Sequence, residues 1–323
     1  MHAQRIAVAL PIKDEQDRIQ TALAALDLAA RRIGNPVLVV ALVNNSSDRS
    51  CARILEIAPR LGITLHLHQI TLPLPLANAG NARRLAMEIA AGLVPDGVLM
   101  TTDADAVVSP DWLRAGLMSL AGADVVCGAI RPDGATAISA ASRRVERIEA
   151  KYAAALHEVR FAVDQLCGRQ RCRPHYMESG ASLALHVRAY DAIGGLPAVA
   201  CSEDRALVHS AESHGLRLRY CNRMSATVST RLLGRAQGGM AECLRARRHA
   251  ADPLADQAML PPDHIVALWE RAQSGQNVLW PDRSAATGRR LRISELEAAL
   301  PELRYFVART VRGDVLPGAN DAR

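Results

Sequence analysis

Aromatic residues are scarce in this chain: two Phe, three Trp and five Tyr among 323 residues. A protein that reads single-stranded nucleic acid stacks bases on rings, so this class is disfavoured. A groove for a long polysaccharide, which also relies on ring faces, is disfavoured as well, and a small acceptor fits better. Lysine is nearly absent, confined to Lys13 and Lys151, so the formal charge of +6 comes almost entirely from arginine. Guanidinium forks suit phosphate oxygens better than ammonium groups do, which points to an anionic small molecule. The seven cysteines, at 51, 127, 167, 172, 201, 221 and 243, form no C-x-x-C pair and no metal-ligand spacing. An odd, scattered set predicts reduced thiols and a cytoplasmic setting, with Cys167 and Cys172 unpaired across their loop. No apolar run is long enough to cross a bilayer, and the amino terminus enters a strand directly without a charged leader. A soluble protein is expected, with reversible membrane-surface association left open. There are no internal repeats and no low-complexity tracts.

What is present is an ordinary globular composition, 49% hydrophobic and 22% charged, with enough length to bury a large core. Strand and helix signals alternate through the first half. Apolar runs at 6–10, 37–43, 63–70 and 98–102 read as strands, and 17–33, 49–61 and 82–93 read as helices. A further helix precedes a strand over 124–129. This alternation predicts a mainly parallel, doubly wound sheet. From 138 to 166 a pattern without Gly or Pro places Val145, Ile148, Tyr152, Ala155, Val159, Ala162 and Leu166 on one stripe. A helix lying on the sheet is the expectation there, ahead of an oligomer seam. Residues 168–173 form a basic loop, 177–185 read as strand, and a short helix ends at Gly194-Gly195. Past 239 the sequence turns helical and Arg-rich, and Ser294-Glu295-Leu296-Glu297 reads as a capping box opening a helix towards Val311.

Polar residues gather where these strands end, which is where open α/β sheets bind ligands. Asp103-Ala104-Asp105 follows the apolar run ending at Thr102. Two carboxylates at that spacing can hold a hard divalent cation, which in turn can bridge a diphosphate. Pro11-Ile12-Lys13-Asp14-Glu15 follows the first strand, and Asn44-Asn45-Ser46-Ser47-Asp48 the second. Asn78-Ala79-Gly80-Asn81-Ala82-Arg83 and Cys201-Ser202-Glu203-Asp204 each open a helix. Taken singly, each is an ordinary turn or cap. Asp beside Glu at a helix start can also answer the helix dipole.

In order and spacing, these segments together resemble the inverting glycosyltransferases of family 2, which have the GT-A fold. The resemblance runs from about 5 to 244, roughly three quarters of the chain. It takes in Glu178-Ser179-Gly180-Ala181-Ser182-Leu183-Ala184, Gly194-Gly195, Ser229-Thr230-Arg231 and Gly234-Arg235. It implies a GT-A-like, doubly wound sheet flanked by helices over 1–240, with a nucleotide-binding half over 1–130 and an acceptor half over 131–240. A helical carboxyl-terminal extension covers 241–323. Pro11, Glu15, Asn44 and Arg83 would line the nucleotide pocket. Asp103 and Asp105 would contact the sugar nucleotide through Mg2+ or Mn2+, with Asp105 the more direct ligand. Asp204 would be the general base, Glu203 its positioning neighbour, and Arg231 and Arg235 would hold the departing diphosphate.

The partner implied is a nucleoside-diphosphate sugar, a UDP-sugar first, with an unidentified acceptor hydroxyl, no nucleic acid and room for a homodimer. Two departures stand out. Many relatives carry an acid at the position of Asn44, whose amide can both accept and donate. No late metal-ligating His is evident, and His209, His214 and His249 read as ordinary helix or loop residues. The alternatives are a nucleotidyltransferase, which would want a Gly-rich basic loop after the first strand, and a non-catalytic sugar-nucleotide-binding protein.

Overall fold

The computed structural model of the chain describes residues 5–134, 140–199, 201–230 and 250–313. They fall in two compact units, one of 5–134 with 175–199 and 201–230, the other of 140–174 with 250–313.

The first unit is built on one eight-stranded sheet. Its strands are β1 (Ile6–Ile12), β2 (Val37–Asn44), β3 (Thr64–Ile70), β4 (Val98–Thr101), β5 (Val107–Val108), β6 (Val125–Pro132), β7 (Leu183–His186) and β8 (Leu218–Val228). They lie in the order β3-β2-β1-β4-β7-β6-β8-β5. The first four are parallel, β7 is antiparallel to both β4 and β6, and β8 is parallel to β6. The helices are α1 (Ile19–Ala30), α2 (Ser50–Ile57), α3 (Ala79–Leu93), α4 (Trp112–Leu120), α6 (Val187–Ala192) and α7 (Glu203–Ser213), with α5 (Ala140–Leu166) belonging to the second unit.

β1 and β2 are continuous apolar runs because both of their faces are covered. Ile6, Val8, Leu10 and Ile12 join Val37, Val39, Ala41 and Val43 in one core with Ile19, Leu23 and Trp112. Ala7, Ala9, Val40 and Leu42 point the other way, against Ala86, Met87 and Ala90 of α3 and Leu207 of α7. Alternate residues of one strand therefore feed two layers, as a doubly wound sheet requires. β3 closes the edge and is correspondingly polar, with His66, His68 and Gln69. At the other end of the sheet, β8 carries Arg219, Asn222 and Arg223, a polarity that hides its strand character. The expected strand over 177–185 is confined to β7, because 177–182 serves as a loop. The helix expected from 82 opens at Ala79, where the Asn78 side chain accepts from Asn81 N–H at 2.9 Å.

The second unit corrects the reading of the long central helix. The stripe of α5 does not supply a layer for the sheet; Val145, Ile148, Tyr152, Ala155 and Val159 form a core with α8 (Pro262–Gln273) and α9 (Ile293–Phe306). Residues 140–174 therefore belong with 250–313 rather than with the segment 131–240 in which the sequence placed them. Tyr152 Oη donates to Leu260 O at 2.7 Å, and the Asp256 N–H donates to Glu149 Oε1 at 2.8 Å. At the start of α9, the carboxylate of Glu295 reaches back to the Arg292 N–H at 2.8 Å. Ser294, expected as the cap, instead donates its hydroxyl to Asp252 at 2.7 Å. Cys167 and Cys172 are unpaired. No helix among the described residues is long and apolar enough to cross a membrane.

Candidate active site

β2 lies on one side of β1 and β4 on the other, so the chain direction across the sheet reverses between β1 and β4. The carboxyl ends flanking that reversal form the natural ligand crevice of such a sheet. All five polar segments are delivered to this edge or to a helix start near it.

The loops after β1 and β2 hold each other. Asp14 N–H donates to Ser46 Oγ at 3.0 Å, and Asp14 Oδ1 accepts from Ser47 N–H at 2.7 Å. Glu15 N–H donates to Ser50 Oγ at 2.7 Å, and Gln16 N–H to Asp48 Oδ2 at 2.9 Å. Asp14 and Asn45 take the left-handed backbone region, with φ of 52° and 47°, which Asp and Asn tolerate better than most residues. Asn45, which the sequence reading passed over, locks the loop after β3: its amide donates to Leu72 O and accepts from Leu72 N–H, both at 3.0 Å. Pro11 is half-buried near the end of β1, while Glu15 and Asn44 are buried. The two polar turns thus form a fixed rim.

The centre of the site is the guanidinium of Arg83, carried on the second turn of α3 and 6% exposed. Its Nε donates to Glu203 Oε1 at 2.9 Å and its Nη2 to Asp103 Oδ1 at 2.5 Å. Its Nη1 donates to Thr101 Oγ1 at 2.8 Å and to Gly180 O at 3.1 Å. Burial opposes its charge, but the attraction of Asp103 and Glu203 outweighs that and lifts its pKa further. One buried cation therefore ties the end of β4, the loop before β7 and the first turn of α7. Gly180 is required there, since a Cβ would sit 2.4 Å from Arg83 Cζ.

Asp204 lies beside this knot, half-buried. Its Oδ2 accepts from Gly180 N–H at 2.9 Å, and its Oδ1 accepts from its neighbour Arg205 N–H at 2.8 Å. Desolvation, then the charge of Glu203, pushes its pKa up to about 6, against the opposing pull of Gly180 N–H and Arg83. A carboxylate poised near neutrality, with a lone pair left on each oxygen, is suited to accept a proton.

Arg83, Asp103, Glu203 and Asp204 are thus brought together directly. Asp105, also half-buried, lies two residues beyond Asp103 past a turn in which Ala106 N–H donates to Asp103 O at 3.1 Å. Arg231, Arg235 and His249 lie outside the described residues. His214 Nδ1 donates to Ser210 O at 2.7 Å, at the end of α7, which is a local helix contact. Thr101 and Gly180 were missed as site residues; the only sequence signal was their place at a strand end and within a polar Ser-Gly loop.

Among the described residues, no three His, Cys, Asp or Glu side chains gather as a metal cage. The carboxylates there that could hold a divalent cation are Asp105 and the Asp103 oxygen not engaged by Arg83.

No protein-family model matches the chain, and no curated protein matches it. Among solved structures, the S. aureus TarS 1-349 fragment in complex with UDP-GlcNAc aligns at 13% identity, over 95% of this chain and 74% of that one, with a TM-score of 0.50. In its complex with UDP, the same fragment aligns at 13% identity over 70% of this chain, which spans only 60% of its length, with a TM-score of 0.48. Glucosyl-3-phosphoglycerate synthase from Mycobacterium tuberculosis, in complex with Mn2+, UDP and glucosyl-3-phosphoglycerate, aligns at 17% identity over 76% of this chain and 78% of that one, with a TM-score of 0.45. At such identities the likeness defines a fold: the chain has a GT-A-type α/β architecture with added carboxyl-terminal helices.

Proposed function

We propose that this chain is a glycosyltransferase of the family 2 type, transferring a sugar from a nucleoside-diphosphate sugar to an acceptor hydroxyl with inversion. The observation that carries the proposal is the Arg83 knot, which sets two acids at the end of β4 against a raised-pKa acid at the start of α7. The donor is proposed as a UDP-sugar, the nucleotide type in the complexes of TarS.

In this reading Asp204 takes the proton from the acceptor hydroxyl as its oxygen attacks the anomeric carbon. The bond from that carbon to the diphosphate oxygen breaks, and the diphosphate leaves with the electron pair. Attack from the face opposite the leaving group inverts the configuration. Glu203 raises the proton affinity of Asp204 by its charge, and Gly180 N–H orients the base. Arg83 is a positioning residue, because four of its hydrogen bonds already go to protein acceptors. Asp103 and Asp105 would hold Mg2+ or Mn2+, which when bound supplies positive charge to the departing diphosphate. Asn44 and Glu15 would meet the nucleotide at the rim, beside Pro11, while Arg231 and Arg235 are proposed to meet the diphosphate.

Isothermal titration with nucleoside diphosphates, with and without Mn2+, tests the donor half of the proposal. Metal-dependent binding of at least one, UDP first, is expected; no binding of any would refute it.

A further inference from the structure

We propose that the first unit carries a second anion site, for a phosphate group, at the edge of the sheet where β5, β6 and β8 meet. It does not depend on the transferase reading. The ladder between β6 and β8 pairs Gly128 with Cys221 and then Ala129 with Ser225, so residues 222–224 are extra on β8. Bulges re-aim side chains, and this one does so firmly. Met224 turns inward, fully buried, and its carbonyl accepts from Ser182 Oγ at 2.9 Å. Ser182 Oγ in turn accepts from Trp112 Nε1 at 2.8 Å. A Cβ on Gly128 would stand 2.1 Å from Met224 O, so the bulge needs glycine beneath it. Asn222 and Arg223 are thereby left on the surface, lining a cavity of about 290 Å³ together with Arg32, Asp111 and Arg131.

The charges of this cavity are unbalanced. Asp111 precedes α4, yet its side chain does not cap that helix. Its carboxylate is shared by Arg32 Nη1 at 3.3 Å, Arg114 Nε at 3.6 Å and Arg223 Nη2 at 3.7 Å. Arg131 lines the same cavity with no ion pair among the described residues. Three guanidiniums, those of Arg32, Arg131 and Arg223, thus line the cavity with one carboxylate, which Arg114 also shares, and none is held by it in bidentate fashion. Exposed pairs of this kind are worth about 1 kcal/mol or less, so they do not hold the arginines against a better acceptor. A phosphate dianion is that acceptor, because its oxygens match the guanidinium fork. The locked bulge and the Ser109 N–H donated to Ser225 O at 2.8 Å fix the two walls in advance. A soluble ester and a lipid headgroup both present that phosphate; the chemistry recognised is the same.

The test titrates the full chain with inorganic phosphate at constant ionic strength, and floats it with phosphatidylcholine vesicles with or without phosphatidic acid. Arg131→Gln/Arg223→Gln is the comparison, and its Mn2+-dependent nucleoside-diphosphate binding is measured separately, so that failure at one site is not read as failure at the other. Wild type should bind phosphate, and the double variant about tenfold more weakly or worse. Binding of free phosphate without flotation assigns a soluble ester, and phosphatidic-acid-dependent flotation assigns a headgroup. Equal phosphate binding and flotation by wild type and variant, or no binding and no flotation by wild type, would overturn the proposal.

Discussion

Replacing Asp204 by Asn should make the protein more stable at pH 8 while removing its activity. In the folded chain, burial and Glu203 raise the Asp204 pKa from the ordinary 3.8 to about 6. Between those values the folded state holds a proton that the unfolded chain has lost. The group's contribution to stability is therefore greatest below the unfolded pKa and declines as pH rises towards 6. Above pH 6 the full cost of ionising it in place remains. About two units correspond to about 3 kcal/mol. Asn cannot ionise, so the cost disappears, and its carbonyl can still accept from Gly180 N–H. The Arg205 N–H then faces the amide nitrogen, which returns about 1 kcal/mol. A net gain of about 2 kcal/mol raises the midpoint of thermal unfolding by roughly 4–8 °C for a unit of this size. Calorimetry at pH 8 and pH 4.5 is the assay. The gap should be present at pH 8 and shrink at pH 4.5, where wild-type Asp204 is already protonated in the fold. A variant less stable than wild type at pH 8, or a gap unchanged at pH 4.5, would refute the reasoning.

The other expectations rest on the same knot. Arg83→Met leaves Glu203 buried without its guanidinium and should cost about 3–5 kcal/mol in urea unfolding; a loss below 1 kcal/mol would show that the pair is not the centre of the site. Gly180→Ala forces Arg83 aside and should cost about 1–3 kcal/mol. It should also shift the pH profile of turnover, because it moves the N–H that Asp204 accepts from; an unshifted profile counts against that contact. With Asp204 as base, kcat in wild type should rise with pH through about 6 and then level off, and a flat profile over pH 5–8 would remove Asp204 from the step.

β1, β2 and β4 were legible because buried parallel strands are uninterrupted apolar runs, and such runs have few competing explanations. β8 was not, since the bulge residues Asn222 and Arg223 interrupt any apolar pattern with polar groups that face a cavity. The stripe of α5 was visible, but its partners Ile265, Leu268 and Trp269 lie more than a hundred positions later, and periodicity carries no address. The site shows the same division. Asp103, Asp105, Glu203 and Asp204 stand at a strand end and a helix start, where local pattern exposes them. What joins Asp103 to Glu203 is Arg83, 20 positions from the one and 120 from the other. Only tertiary packing brings those groups within one guanidinium's reach, and so a residue expected to line a nucleotide pocket emerged as a buried clasp.

The most direct test of the account is release of nucleoside diphosphate from a UDP-sugar in the presence of Mn2+, followed for wild type, Asp105→Asn and Asp204→Asn. The account predicts slow release by wild type even when water is the only acceptor, none above background in Asp204→Asn, and loss of the Mn2+ stimulation in Asp105→Asn. No release from any nucleoside-diphosphate sugar, or full release by Asp204→Asn, would contradict it.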